Sequence, residues 1–442
     1  MGKYFGTDGF RGRANLELTV EHALAIGRFL GHICEKGVLI GRDTRRSSRM
    51  LEGALAAGAA ASGADVTLVG ILPTPAISYL IKEGAYGGGV MISASHNPYE
   101  DNGIKLFGED GEKLCEAQLA RLEMCLDDPS LLPPTAGVHV GTVCENGTKR
   151  EAYGTWLRSL AHGGYGGLRI GLDAANGSAY LLARELFEGL GAEICTIGDQ
   201  PDGENINLHC GSTQIDALQQ LVLKQHLDVG FAFDGDADRC IVVDHLGEVA
   251  DGDAILYVMA CALRERGRLR GNKVVTTVMS NIGLYEALRE QGIGYEQTPV
   301  GDKYVSERMR KNALSLGGEQ SGHVIFGELA GTGDGLLTAL QLTDRMIETG
   351  LPLRELRQGY RAYPQLLRSL PLRSKDALLQ DAELWKWVQE IGEEIGANGR
   401  VLVRPSGTEP LVRVMAETKD RALCAEIVER VVAELDKRGY LI

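Results

Sequence analysis

The chain has 442 residues and carries 46 Lys and Arg against 60 Asp and Glu, a net charge of −14. A surface this acidic argues against unspecific binding to nucleic acid or anionic membranes, and no uncharged apolar run reaches the ~18 residues of a membrane span. Nine cysteines without a C-x-x-C pair fit reduced thiols better than a disulfide framework, and residues 1–13 lack an apolar signal core, so a soluble, cytoplasmic, multidomain protein is expected. Glycine is the outlier, with 58 residues against a usual ~7 %. That excess predicts many tight loops.

Along the chain, one strand–turn–helix–Gly–strand unit is predicted three times. The first has strands over 38–43 and 66–69 with a helix over 50–61. The second has strands over 168–172 and 194–197, the turn Asp173-Ala174-Ala175-Asn176-Gly177, and a helix over 179–190. The third has strands over 273–278 and 295–298 with a helix over 282–291. Each joins a β-branched run to a helix through a polar turn that can cap it, and a proline (Pro73, Pro201, Pro299) follows each. That order implies parallel pairing, hence three related α/β domains. The last eighty residues differ. A helix over 382–395, strands over 401–403 and 411–414, and a helix over 420–437 predict a smaller α+β module, with a junction over 359–375. The expected domains are 1–150, 151–252, 253–364 and 365–442.

Several stretches carry chemistry. Ser93-Ala94-Ser95-His96-Asn97-Pro98 follows an apolar strand, at the end where parallel sheets bind ligands. Pro98 makes it a loop, and Ser beside His in sequence does not by itself establish a dyad. In Asp234-Gly235-Asp236-Ala237-Asp238-Arg239, three carboxylates two residues apart project to one side of an extended segment. Bracketed by apolar runs, they call for a hard divalent cation. Calcium of the EF-hand kind is excluded, because Arg239 and His245 stand where Gly and Glu are required. Mg²⁺ is the expected ion.

Arg404-Pro405-Ser406-Gly407-Thr408-Glu409-Pro410, with Arg413 beyond, is a turn between strands with hydroxyls, exposed N–H groups and two guanidiniums, suited to phosphate. Gly317-Gly318-Glu319-Gln320-Ser321-Gly322-His323 could bond vicinal hydroxyls, and equally could be a plain interstrand loop. Gly6-Thr7-Asp8-Gly9-Phe10-Arg11-Gly12 would let Arg11 approach a ligand. Asp101-Asn102-Gly103-Ile104-Lys105 reads as a turn sending Lys105 back toward the serine loop. There is no Walker A motif, and the glycine run 163–167 precedes a strand instead of following one, which excludes a dinucleotide fingerprint.

Taken jointly and in this order, Ser-His-Asn-Pro, Asp-Gly-Asp-Ala-Asp-Arg, Gly-Glu-Gln-Ser-Gly-His and Arg-Pro-Ser-Gly-Thr-Glu-Pro resemble the α-D-phosphohexomutase superfamily over the whole chain. The opening nine residues and Thr332-Gly333-Asp334-Gly335 resemble its bacterial amino-sugar branch. The resemblance implies three similar mixed-sheet α/β domains plus a smaller C-terminal α+β domain. It implies reversible interconversion of glucosamine 6-phosphate and glucosamine 1-phosphate, through a phosphoserine at Ser95 and a glucosamine 1,6-bisphosphate intermediate that also serves as activator, feeding UDP-N-acetylglucosamine and cell-wall synthesis. Phosphomannomutase or phosphoglucomutase activity is the alternative. One Mg²⁺ would be held by Ser95, Asp234, Asp236 and Asp238. Lys105 would be general acid/base, with Arg11 and His96 also catalytic. Arg239, Glu319, Ser321 and His323 would bind substrate, and Arg404, Ser406, Gly407, Thr408 and Arg413 its distal phosphate. The implied partner is a phosphosugar, with no nucleic acid and no membrane, and a homodimer is compatible with the resemblance.

Overall fold

The computed structural model describes residues 2–6, 8–132, 137–405 and 410–442. They divide into two compact units, one of residues 1–280 and 291–358, the other of 281–290 and 359–442.

In the first unit, three sheets are built on one plan. Sheet one contains β1 (Phe10–Arg13), β2 (Val38–Arg42), β3 (Val66–Ile71), β4 (Gly88–Ile92), β5 (Asp101–Gly108) and β6 (Val143–Glu145), in the order β1-β5-β4-β2-β3-β6. Helices α1 (Val20–Ile33), α2 (Ser48–Ala61), α3 (Thr74–Glu83) and α4 (Glu116–Asp127) accompany it. The Thr19 hydroxyl accepts the His22 N–H to start α1. Leu18, Ile26, Leu30, Leu51 and Leu55 pack on Val38, Ile40, Val90 and Ile92 to form its core. Where α1 meets α2, a Cβ on Gly27 or Gly58 would strike the other helix's backbone, so these two glycines set how closely the helices approach.

Helix α5 (Lys149–Ser159) leads to sheet two, with β7 (Arg169–Asp173), β8 (Glu193–Ile197), β9 (Val229–Phe233), β10 (Cys240–Asp244) and β11 (Val249–Ala250), in the order β11-β10-β9-β7-β8, and helices α6 (Leu182–Gly189) and α7 (Asp216–Gln225). Helix α8 (Gly252–Glu265) leads to sheet three. Its strands are β12 (Lys273–Thr277), β13 (Gly294–Thr298), β14 (Leu316–Gly318) and β15 (Val324–Phe326), ordered β13-β12-β14-β15. Between β12 and β13 runs α9 (Ile282–Glu290), which belongs to the second unit. Helices α10 (Asp302–Asn312), α11 (Gly335–Thr349) and α12 (Leu353–Leu356) complete the first.

The parallel pairings expected from the repeats are present in all three sheets. Each sheet then turns an antiparallel strand onto its central parallel set, β5 on β4, β10 on β9 and β15 on β14. The sheets are therefore mixed. The turns into those three antiparallel strands carry the serine, aspartate and Glu-Gln-Ser-Gly-His motifs respectively.

The second unit holds the antiparallel sheet β16-β18-β17, with β16 (Gln365–Pro371), β17 (Gly399–Pro405) and β18 (Leu411–Thr418). Its helices are α13 (Lys375–Gln380), α14 (Ala382–Ile395) and α15 (Arg421–Lys437). Its core joins Leu384, Val388 and Ile391 to Val412, Val414, Ile427 and Val431. Asp381 and Asp420 cap α14 and α15 with their carboxylates.

Three local expectations are corrected. The stretch 359–375 is not a bare junction, because β16 runs through it; alternate residues of that strand are half-buried and exposed, a pattern its prolines obscured. Residues 101–105 are the start of strand β5 and not a turn, since Asn102 and Gly103 pair with Gly12 and Arg11 of β1. Helix α6 starts at Leu182, three residues late, because residues 178–181 still belong to the turn that precedes it.

Candidate active site

Ser95 lies in the turn after β4 with φ 55°. It is fully buried, although it stands in a loop. Its N–H donates to Ser93 Oγ at 2.9 Å, and Ser93 Oγ donates to Asp43 Oδ2 at 2.7 Å. The second serine of the motif is thus committed to holding the first. The Ser95 hydroxyl donates to Asp234 Oδ2 at 2.5 Å and lies 3.2 Å from His96 Nδ1.

Asp234, Asp236 and Asp238 do not lie in an extended segment. They occupy the tight turn after β9, where Ala237 has φ 53°, and it is the turn that makes them converge. Their ligating oxygens lie within 4.8 Å of one another, and all three residues are buried. Asp236 Oδ1 and Asp238 Oδ1 have no hydrogen-bond partner. Burial and the charges of Asp238 and Asp236 push the Asp234 carboxyl well above its usual range. Buried, mutually repelling, unpartnered carboxylate oxygens fit a hard divalent cation.

Lys105, on β5 opposite Met91 of β4, is 1 % exposed. Its Nζ is 2.7 Å from Asp236 Oδ2, 2.9 Å from Asp238 Oδ2 and 3.2 Å from Asp8 Oδ2. Burial alone would lower this ammonium, but Asp236, Asp238 and Asp8 hold it well above the usual lysine range. It is a cation. By contrast, burial and the guanidiniums of Arg239 and Arg11 bring His96 down to about 4, so its imidazole is neutral at neutral pH.

Arg11, in β1, pairs with Asp8 and donates to Ala94 O at 3.1 Å and Asn97 Oδ1 at 3.3 Å. The Arg239 N–H donates to Asp234 Oδ1 at 3.2 Å. In the turn between β14 and β15, Glu319 Oε1 accepts the Gly301 N–H at 3.1 Å. Ser321 is exposed. His323 is buried with both ring nitrogens unpartnered, its Nε2 3.6 Å from Asp302 Oδ2.

Three participants were missed. Lys113 Nζ bridges Asp8 Oδ1 at 2.6 Å and Asp302 Oδ2 at 2.5 Å, so the chain of ion pairs runs from the aspartate trio through Lys105, Asp8 and Lys113 to Asp302, beside which His323 lies. Asp8 lay inside the N-terminal motif but was passed over for Arg11. Lys113 and Asp302 stand in no motif, and only the folded chain joins them.

In the second unit, Arg404 on β17 sits directly opposite Arg413 on β18. Burial, and then the charge of Arg413, lowers Arg404. Two facing guanidiniums on neighbouring strands favour an anion between them. Ser406, Gly407 and Thr408 lie outside the described residues.

Family models match the whole plan: Phosphoglucomutase/phosphomannomutase alpha/beta/alpha domain I at residues 2–131, domain II at 139–247, domain III at 251–363 and the C-terminal domain at 369–434. Phosphoglucosamine mutases from Lachnospira eligens and Bacillus subtilis are each 48 % identical, over 100 % and 98 % of both chains respectively. The chain belongs to the phosphoglucosamine mutase family. It is accordingly an isomerase of the phosphohexomutase superfamily, and the phosphomannomutase or phosphoglucomutase alternative is not favoured. A phosphoglucomutase/phosphomannomutase family protein from Burkholderia thailandensis superposes with TM-score 0.83 at 25 % identity, covering 98 % of each chain. An N-acetylphosphoglucosamine mutase from Aspergillus fumigatus, crystallised with GlcNAc-6P and magnesium, shares the fold with TM-score 0.66 at 18 % identity, covering 99 % of this chain and 96 % of that one. Among the described residues, no helix of this phosphoglucosamine mutase family member is long and apolar enough to cross a membrane.

Proposed function

We propose that the protein interconverts glucosamine 6-phosphate and glucosamine 1-phosphate in the cytoplasm, with Ser95 as the phosphoryl carrier. The observation that carries this reading is the Ser95 hydroxyl, 2.5 Å from buried Asp234, whose turn also carries Asp236 and Asp238, both paired with buried Lys105. Asp234, Asp236 and Asp238, with an oxygen of phosphorylated Ser95, would hold one Mg²⁺. When bound, the ion supplies charge that offsets the transferring phosphoryl oxygens.

In the forward half-reaction, the bond from phosphorus to Ser95 Oγ breaks and one to O6 of glucosamine 1-phosphate forms. The neutral His96 imidazole faces the serine oxygen; Lys105 can pass a proton to that oxygen as it leaves and take in exchange the proton that the O6 hydroxyl gives up, which restores the ammonium. Arg11 and Arg239 stabilise the charge in transit. The resulting glucosamine 1,6-bisphosphate turns over, and its 1-phosphoryl group returns to Ser95, leaving the 6-phosphate. Glu319, Ser321 and His323 read the sugar, and the anion turn of Arg404, Ser406, Gly407, Thr408 and Arg413 takes the phosphate that is not transferred.

Two measurements test the reading. Intact mass with peptide mapping, after incubation with glucosamine 1,6-bisphosphate and Mg²⁺, should place one phosphoryl group (about 80 Da) on Ser95; label on another residue, or none, sinks it. Turnover should be fastest on glucosamine 1-phosphate, and equal rates on the glucose and mannose 1-phosphates would remove the amino-sugar assignment.

A further inference from the structure

A residue other than glycine holds a left-handed backbone at a cost, and keeps it where its surroundings over-determine it. Ser95 is such a residue. What forces it is written in the carbonyls of its loop. Arg45, in the turn after β2, is 1 % exposed, and its guanidinium spends all five N–H donors on named acceptors. Nε donates to Asp43 Oδ2 at 2.8 Å. Nη1 donates to Pro98 O and to Asp101 O, the latter at 3.1 Å. Nη2 donates to Ser95 O at 2.9 Å and Asn97 O at 2.8 Å. Four carbonyls of the segment 95–101 are thus tied to one rigid fork, and Asp43 anchors the fork while also holding Ser93 and Ser48.

A second donor reaches the same loop from the other side. Asn207, between β8 and α7, donates from Nδ2 to Ser95 O at 2.9 Å and to Asn97 O at 3.1 Å, the same two carbonyls that Arg45 Nη2 takes. Its own backbone is left-handed, with φ 59°, and its N–H is fixed to Ala175 O at 2.8 Å. The aspartate turn closes in beside it, since a Cβ on Gly235 would stand 2.6 Å from Ser95 O. One clamp arm therefore comes from the sheet that carries the serine, the other from the sheet that carries the aspartates.

We propose that Arg45 and Asn207 are paired positioning residues for the Ser95 nucleophile, fixing its backbone from both sheets so that Oγ is held in line for transfer beside the aspartate trio. Neither touches Oγ; both act through the loop's carbonyls. Misplacing a nucleophile by about 1 Å costs up to ~100-fold in rate, and this clamp sets that distance. The proposal rests on Ser95 being the phosphoryl carrier.

The test uses Asn207→Gly and Arg45→Lys in the full chain. Glycine keeps the left-handed backbone and removes only the donor; lysine keeps a counter-ion for Asp43 but cannot span four carbonyls. Both variants should lose about 10- to 100-fold in kcat and in the rate of Ser95 phosphorylation by glucosamine 1,6-bisphosphate, with KM within about twofold. The ³¹P resonance of the phosphoserine should shift or broaden, which a merely stabilising contact would not cause. Wild-type kcat and an unchanged ³¹P line in a folded Asn207→Gly protein would overturn the proposal, and that variant decides if Arg45→Lys fails to fold. A wild-type protein that takes no phosphoryl group on Ser95 would instead overturn the functional reading, and the clamp's purpose with it.

Discussion

At Ser95 the side chain and the backbone answer to different needs. The hydroxyl is chemistry, bonded to Asp234 and facing His96; the backbone is strained and tied down by its neighbours. Ser95→Ala removes only the first. Isomerisation should fall below detection, while the melting temperature drops by a few degrees at most. The stability cost comes from a buried Asp234 oxygen that loses a donor, about 1–3 kcal/mol, and from the lost contact with His96 Nδ1, since alanine fits the same space. Calorimetry with a coupled mutase assay checks both halves. Retained activity would mean another nucleophile, and Ser93 is a poor one, because its hydroxyl already bridges Asp43 and the Ser95 amide.

At the scale of elements, the repeats explain why so much was legible. Each α/β unit advertises itself by a β-branched run, a polar turn and a glycine, and these are local signals, although no side chain of that turn caps α2 or α6. The antiparallel strands were harder to see. Asp101-Asn102-Gly103 has turn chemistry by composition, yet it pairs with β1, a partner some ninety residues away that no local window contains. For the same reason the aspartates were rightly grouped but wrongly shaped, because the spacing of two suits a strand and only the fold shows the turn. Lys113 and Asp302 were invisible, being joined by tertiary contact alone.

The polar turn after β7 offers a test at this scale. Asp173 is fully buried and accepts the N–H groups of Ala175 at 3.0 Å and Gly211 at 2.7 Å. Burial nevertheless pushes it up to about 6. A carboxyl raised in the folded state binds its proton more tightly there than in the unfolded chain. Its contribution to stability is therefore fully present below about pH 4 and is lost as pH rises through 6. Asp173→Asn lacks this titration. Its stability deficit against the wild type should be larger at pH 4.5 than at pH 7, by about 2 kcal/mol, in denaturant unfolding at both values. A deficit that grows with pH would show that the two N–H bonds outweigh the burial.

On the scale of the whole molecule, charge is placed locally and not globally. The net charge is −14, yet Lys105, Lys113, Arg11 and Arg239 all cluster about the serine and aspartate turns, and the balance there still leaves two aspartate oxygens unpartnered. Those oxygens belong to a turn of sheet two, whereas the hydroxyl and the ammonium that bond the other oxygens of the trio come from sheet one. A cation bound there would consequently stabilise the first unit as a whole and not only one loop. A ligand at a hundred times its Kd adds about 2.7 kcal/mol to the folded state, so Mg²⁺ added to EDTA-treated, unphosphorylated protein should raise the melting temperature. Asp236→Asn should abolish that increment, because it removes one charge from the trio while leaving Thr74 a neutral acceptor in place of the carboxylate. If the variant kept the full Mg²⁺-dependent rise, the ion would be bound elsewhere, and the convergence of three buried carboxylates within 4.8 Å would need a different explanation, with Lys105 and Arg239 as counter-charges.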